Sequence, residues 1–96
     1  MENNLVSKNP EIIVDANSTA GQLMDIFGRE MTNEPTECAH CGDKTKIGTL
    51  LAFMSAHGTV LRCPACKQIM LRIVETPEAI FLDARGSVFL KMSRKM

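Results

Sequence analysis

Four cysteines carry the chemistry of this 96-residue chain. They fall in two matched pairs, Cys38 and Cys41 in ECAHCGDK and Cys63 and Cys66 in LRCPACK, with residues 42–62 between them. Four thiolates suit a single metal ion, for which zinc asks a tetrahedron of sulfurs at about 2.3 Å. The Cys-x-x-Cys spacing serves that geometry because one tight turn brings two sulfurs to the same side of the ion. Backbone N–H groups of the turn then point at the sulfurs and stabilise their charge. Gly42 follows the second cysteine of the first pair, where such a knuckle favours positive φ. Pro64 lies inside the second pair and pre-sets φ for its turn. The paired spacing falls near the pattern of two zinc-binding turns.

Competing uses of the thiols fit less well. Structural disulfides belong to oxidising compartments, and nothing at the start, MENNLVSKNPEIIVDANS, reads as a secretory signal. The expected location is therefore the cytoplasm, where thiols stay reduced. A thioredoxin-like dithiol sits at a helix N-terminus, which lowers a thiol pKa. Here Cys66 precedes the strand-like KQIMLRIV and Cys41 precedes the turn-like Gly42-Asp43-Lys44, so that activation is missing. His40 and His57 are read as lying outside the ligand set, His40 within its knuckle and His57 in a hairpin turn.

The elements that must position the cysteines follow from the apolar pattern. Leu23, Met24, Phe27 and Met31, widened by Ile26, form one face of a helix. Asn17, Ser18 or Thr19 would cap its start, and Pro35 would fix its end. From Lys46 onward the runs KIGTLLAFM, TVLRC, QIMLRIV, AIFLD and SVFLKM are strand-like, with turns at His57-Gly58, Thr76-Pro77 and Arg85-Gly86. Within Gln68–Val74, Ile69, Leu71 and Ile73 alternate with Gln68 and Arg72. The expected fold is a small α+β domain: a zinc ribbon of four or five antiparallel strands with one packed N-terminal helix. A flexible arm is expected over residues 1–16 and the helix plus zinc-ribbon domain over 17–96. Ile12, Ile13 and Val14 have the composition to add a short edge strand.

Composition sets further bounds. No stretch approaches the roughly 20 apolar residues of a membrane helix, so no membrane role is expected. The net charge is zero but divided. Residues 1–37 carry seven acids against Lys8 and Arg29, or −5; residues 38–96 carry nine bases against Asp43, Glu75, Glu78 and Asp83, or +5. Attraction between the halves, and the −2 charge of four thiolates on Zn²⁺, account for that division. Lys44, Lys46, Arg62 and Lys67 flank the knuckles and are placed to balance it.

The knuckles CAHCG and CPAC resemble those of the zinc-ribbon fold group and of rubredoxin, which holds one iron in four cysteines. A ribbon's second knuckle usually has glycine where this chain has Lys67. Rubredoxins pack aromatic cores, whereas this chain has four Phe and no Trp or Tyr, which ranks iron behind zinc. A longer resemblance runs from about Ala16 to Leu90 through AGQLMDIFGREMT, CAHCG, LRCPAC, LRIVETPE and LDARG, to a small bacterial family known as a domain of unknown function. It implies a soluble bacterial protein with a zinc-ribbon-like core.

The expected function is that of a Zn²⁺-binding structural or adaptor protein, with Cys38, Cys41, Cys63 and Cys66 as ligands. A closed Cys₄ site leaves no open position for water or substrate, so no enzyme activity is expected. The expected partner is another protein or a second copy of the chain, because LLAFM and IFL carry apolar residues on both strand faces. A nucleic-acid-binding ribbon using Arg62, Lys67, Arg72, Arg85, Lys91, Arg94 and Lys95 is the alternative, and a rubredoxin-like iron carrier the second alternative.

Overall fold

The expected helix is cut short by one residue. Gly28 takes a left-handed conformation (φ 72°) and donates its N–H to the Met24 carbonyl at 2.7 Å, closing α1 at Ala20–Phe27 rather than near Pro35. The computed structural model describes residues 12–56 and 58–94. Leu23 is buried from α1, while Met31 reaches the core from the turn beyond it. The helix start also differs from expectation. Asn17–Thr19 belong to a 3₁₀ turn, capped by the Asp15 carboxylate accepting from the Asn17 N–H. The Thr19 hydroxyl donates to the Ala16 carbonyl instead of accepting from the helix.

Around α1 the described residues form eight strands: β1 (Ile12–Asp15), β2 (Pro35–Cys38), β3 (Lys44–Lys46), β4 (Leu51–Ser55), β5 (Gly58–Arg62), β6 (Ile69–Glu75), β7 (Ile80–Asp83) and β8 (Ser87–Leu90). All pair antiparallel, in a five-stranded sheet ordered β1-β4-β5-β6-β7 and a three-stranded sheet ordered β3-β2-β8. The fold is thus small α+β, but the ribbon strands divide between two sheets instead of forming one run. Ile12–Val14 do supply an edge strand, and Ala16 beyond it is fully buried. Residues 1–11 of the expected arm, and His57, lie outside the described residues.

Three crossings join the sheets, the first running from β1 through α1 to β2. Between β3 and β4 a 3₁₀ turn, Ile47–Thr49, buries Ile47 and leads to buried Leu50. Between β7 and β8 the chain passes through Ala84–Gly86. The core lies where the sheets meet α1, built from Leu23, Met31, Ile47, Leu50, Leu61, Met70, Leu71 and Ile73, with Cys38 and Cys63 at its margin.

The alternation expected along β6 breaks at one point. Leu61 faces Leu71 and Arg62 faces Ile69, so Met70 has no partner across the ladder. This bulge lets both Met70 and Leu71 turn inward, leaving Ile69 only half-buried. Gly86 lies against the same place. A Cβ there would sit 2.6 Å from the Met70 Cα and closer still to the Ile69 carbonyl oxygen, so only hydrogen fits.

Candidate metal centre

Each cysteine pair forms the turn of a hairpin, and the two hairpins belong to different sheets. The first knuckle, Cys38–Asp43, joins β2 to β3 in the small sheet; the second, Cys63–Gln68, joins β5 to β6 in the large one. Their backbones match residue for residue. The Cys38 N–H donates to the Asp43 carbonyl and the Gly42 N–H to the Cys38 carbonyl, both at 2.9 Å. In the second knuckle the Cys63 N–H donates to the Gln68 carbonyl at 2.9 Å and the Lys67 N–H to the Cys63 carbonyl at 2.8 Å. The N–H groups of His40 and Ala65 point at the Sγ atoms of Cys38 and Cys63, each at 3.4 Å.

The position after each second cysteine is left-handed in both, with φ of 79° at Gly42 and 69° at Lys67. Glycine accepts this freely; for other residues it costs about 1 kcal/mol or more. The missing glycine therefore leaves the turn unchanged. Contacts of the same segment hold it: Lys67 Nζ donates to the Pro64 carbonyl at 2.6 Å, and Arg62 Nη1 to the Lys67 carbonyl at 2.9 Å. The Arg62 guanidinium also lies over the Phe53 ring, 5.2 Å from its centre.

The knuckles face each other across the gap between the sheets. Sγ of Cys38 lies 3.7 Å from that of Cys66, and Sγ of Cys41 lies 3.7 Å from that of Cys63. All four sulfurs lie within 4.8 Å of one another. A tetrahedron with arms of about 2.3 Å has edges of about 3.8 Å, so the arrangement fits one ion held by four thiolates. All four are free cysteines. Among the described residues this group contains no other ligand type, and His40 is exposed beside it. A metal ion can be held here by the four residues expected from the sequence.

The protons on this tetrad are unequally held. Burial pushes the Cys38 thiol up, but backbone N–H groups of Cys41 and His40 and the neighbouring thiols outweigh it and bring it down to about 7. At Cys41 the Asp43 N–H favours the thiolate, yet desolvation and the three neighbouring thiols together push it up to about 12. The Cys66 thiol is raised as well: the Gln68 N–H and the Cys41 thiol favour its thiolate, but desolvation and the thiols of Cys38 and Cys63 outweigh them.

Two features that position the site were not legible as such. Gly86 accepts from the Ala39 N–H at 2.8 Å, tying the first knuckle to the crossing between β7 and β8. Its steric contact is with the β6 bulge, which precedes no recognisable signal in the sequence. The cations expected to flank the site divide: Arg62 and Lys67 pack on the second knuckle, whereas Lys44 and Lys46 stand exposed on β3. No helix among the described residues is long and apolar enough to cross a membrane.

Comparison with known proteins adds a family to this geometry. No curated protein and no solved structure matches the chain significantly. The sequence model of a family of unknown function (DUF6510) matches residues 7–95, a span that contains both knuckles and every strand described above, and the chain belongs to that family.

Proposed function

We propose that this protein is a Zn²⁺-stapled adaptor of the cytoplasm, without catalytic activity, that works by presenting a surface to another protein or to a second copy of itself. The observation that carries the reading is the position of the tetrad. Its sulfurs come from the turns of two different sheets, so an ion there fastens the sheets together. Four thiolates fill a tetrahedral zinc sphere and leave no position for substrate or water, which favours a structural role. Apolar side chains on β7 and β8 are exposed, which suits docking.

Metal analysis and an absorption spectrum of natively purified protein test the reading. One zinc per chain and a colourless protein are expected; iron with visible charge-transfer bands would replace zinc by an electron carrier. Structural zinc is worth on the order of 10–16 kcal/mol apparent in small peptides, so Cys63→Ser should lose stoichiometric metal and cooperative melting. A Cys63→Ser protein with wild-type zinc content and melting would sink the staple.

A further inference from the structure

Among the described residues, strand β7 is an edge without protection. Ile80, Phe81 and Leu82 are 47%, 60% and 39% exposed, and β6 is the only described strand beside β7. Edges are usually blunted by lysines, prolines, bulges or cover. The small sheet shows such devices: Lys44 and Lys46 are exposed on edge strand β3. On β8, Glu37 faces Phe89 and Cys38 faces Ser87, so Val88 is a bulge. β7 contains no lysine, proline, glycine or bulge.

The turn before β7 fixes which of its backbone groups face outward. Thr76 donates its N–H to the Ala79 carbonyl at 2.8 Å and closes the β6–β7 hairpin. Hydrogen-bonded and non-hydrogen-bonded pairs alternate from there. Glu75–Ile80 and Ile73–Leu82 are therefore the non-bonded pairs, and Ile80 and Leu82 direct N–H and C=O away from β6. These outward groups are a template for another strand.

We propose that the occupant is β7 of a second copy, paired antiparallel about a two-fold axis through Phe81. This rests on the reading that the protein works through protein contacts, and it names the surface and the partner. Directly opposed residues share a face of the sheet, so a two-fold axis normal to the sheet must set one residue against its own copy. With Phe81 as that residue, Ile80 of one copy meets Leu82 of the other. The outward groups of each such pair exchange both hydrogen bonds, once on either side of the axis. The charges at the ends also agree with this register: Glu78 faces Ala84, Asp83 faces Ala79 and Arg85 faces Pro77, so no like charges oppose one another. The two five-stranded sheets become one continuous sheet. The contact is short, below about 1,200 Å², so association in the micromolar range is expected.

The register supplies its own test. Full-length, metal-loaded protein is followed by sedimentation velocity over a concentration series, with Phe81→Lys, Phe81→Glu and an equimolar mixture of the two. Wild type should pass from one to two chain masses as concentration rises. Each single variant, carrying like charges at the axis, should raise the dissociation constant on the order of 100-fold. Their mixture should recover dimers, because Lys then faces Glu. Circular dichroism and metal content of each variant check folding, which the exposure of Phe81 leaves undisturbed. A wild-type dimer that survives Phe81→Lys overturns this edge while leaving self-association through another surface. A wild type that stays monomeric at millimolar concentration also overturns it, and docking on a different protein then rests on pull-down experiments alone. Folded single variants that stay monomeric when mixed overturn the axis through Phe81.

Discussion

Replacing Gly86 by alanine should damage the metal centre without touching a ligand. The added Cβ falls 2.6 Å from the Met70 Cα and closer to the Ile69 carbonyl oxygen, both backbone atoms of a bulge in the middle of the core. Neither can swing away as a side-chain tip would. Overpacking of this kind costs about 1–3 kcal/mol. Displacing the crossing also strains the 2.8 Å bond from the Ala39 N–H to the Gly86 carbonyl, a further loss of about 1 kcal/mol. The sum, about 2–4 kcal/mol, lowers the melting temperature of a domain this size by at least about 10 °C. Gly21→Ala is the control. It lies in α1 with nothing within 4 Å of its would-be Cβ, and should stabilise by up to about 1 kcal/mol. Thermal melts of the two variants beside wild type, with a zinc-chelator competition on each, measure both effects. Gly86→Ala should release metal to the chelator more readily, since the first knuckle loses its tether. Equal melting and equal chelator resistance for Gly86→Ala and wild type would refute the argument.

Two further outcomes concern charge. Side-chain and backbone bonds from Arg85 hold the Asp83 carboxyl down at about 2, from an ordinary 3.8. A depressed carboxylate contributes stability that is full above its unfolded value and lost as pH falls from there through 2. An NMR titration should place Asp83 near 2 in wild type and higher in Arg85→Gln, which loses the side-chain bonds but keeps the backbone one; ordinary titration in wild type would remove the pair from the account. Binding to mixed-sequence DNA or RNA should be weak and vanish at moderate salt, because Arg62, Lys67 and Arg85 are engaged with the chain itself. Sequence-dependent binding at physiological ionic strength, measured by fluorescence anisotropy, would promote the nucleic-acid reading over the adaptor.

The cysteine spacing made the centre legible because knuckle geometry is local: each turn is specified within six residues, and Pro64 and Gly42 speak for it directly. The apolar strands β4 to β8 were legible for the same reason. What escaped depends on distant parts of the chain. β2 and β3 read PTEC and KTK, too polar and too short to show a period. Thr36 is nevertheless fully buried, its hydroxyl donating to the Phe89 carbonyl at 2.8 Å across the small sheet. β2 is a strand because it pairs both with β3 next to it in sequence and with the distant β8. Glu34 is another such case. It is buried where the Arg29 guanidinium and the N–H and hydroxyl of Ser93 converge on its carboxylate, partners that no periodicity predicts. Met70 broke the alternation for a geometric reason, the unpaired residue of a bulge, rather than a chemical one.

The place of β8 beside β2 has a consequence for biosynthesis. Both knuckles have been made by the time Cys66 emerges from a ribosome, before β8 has been synthesised. Yet β2 has only β3 beside it until β8 follows. Until then the Ala39 N–H lacks its Gly86 acceptor and the Thr36 hydroxyl lacks that of Phe89. A nascent chain can therefore close its sulfur cage around an ion before one wall of the cage exists. Zinc taken up at that stage would sit in a half-built shelter, open to exchange with cellular thiols. Completion of β8 would then close the shelter around an ion held by the tetrad.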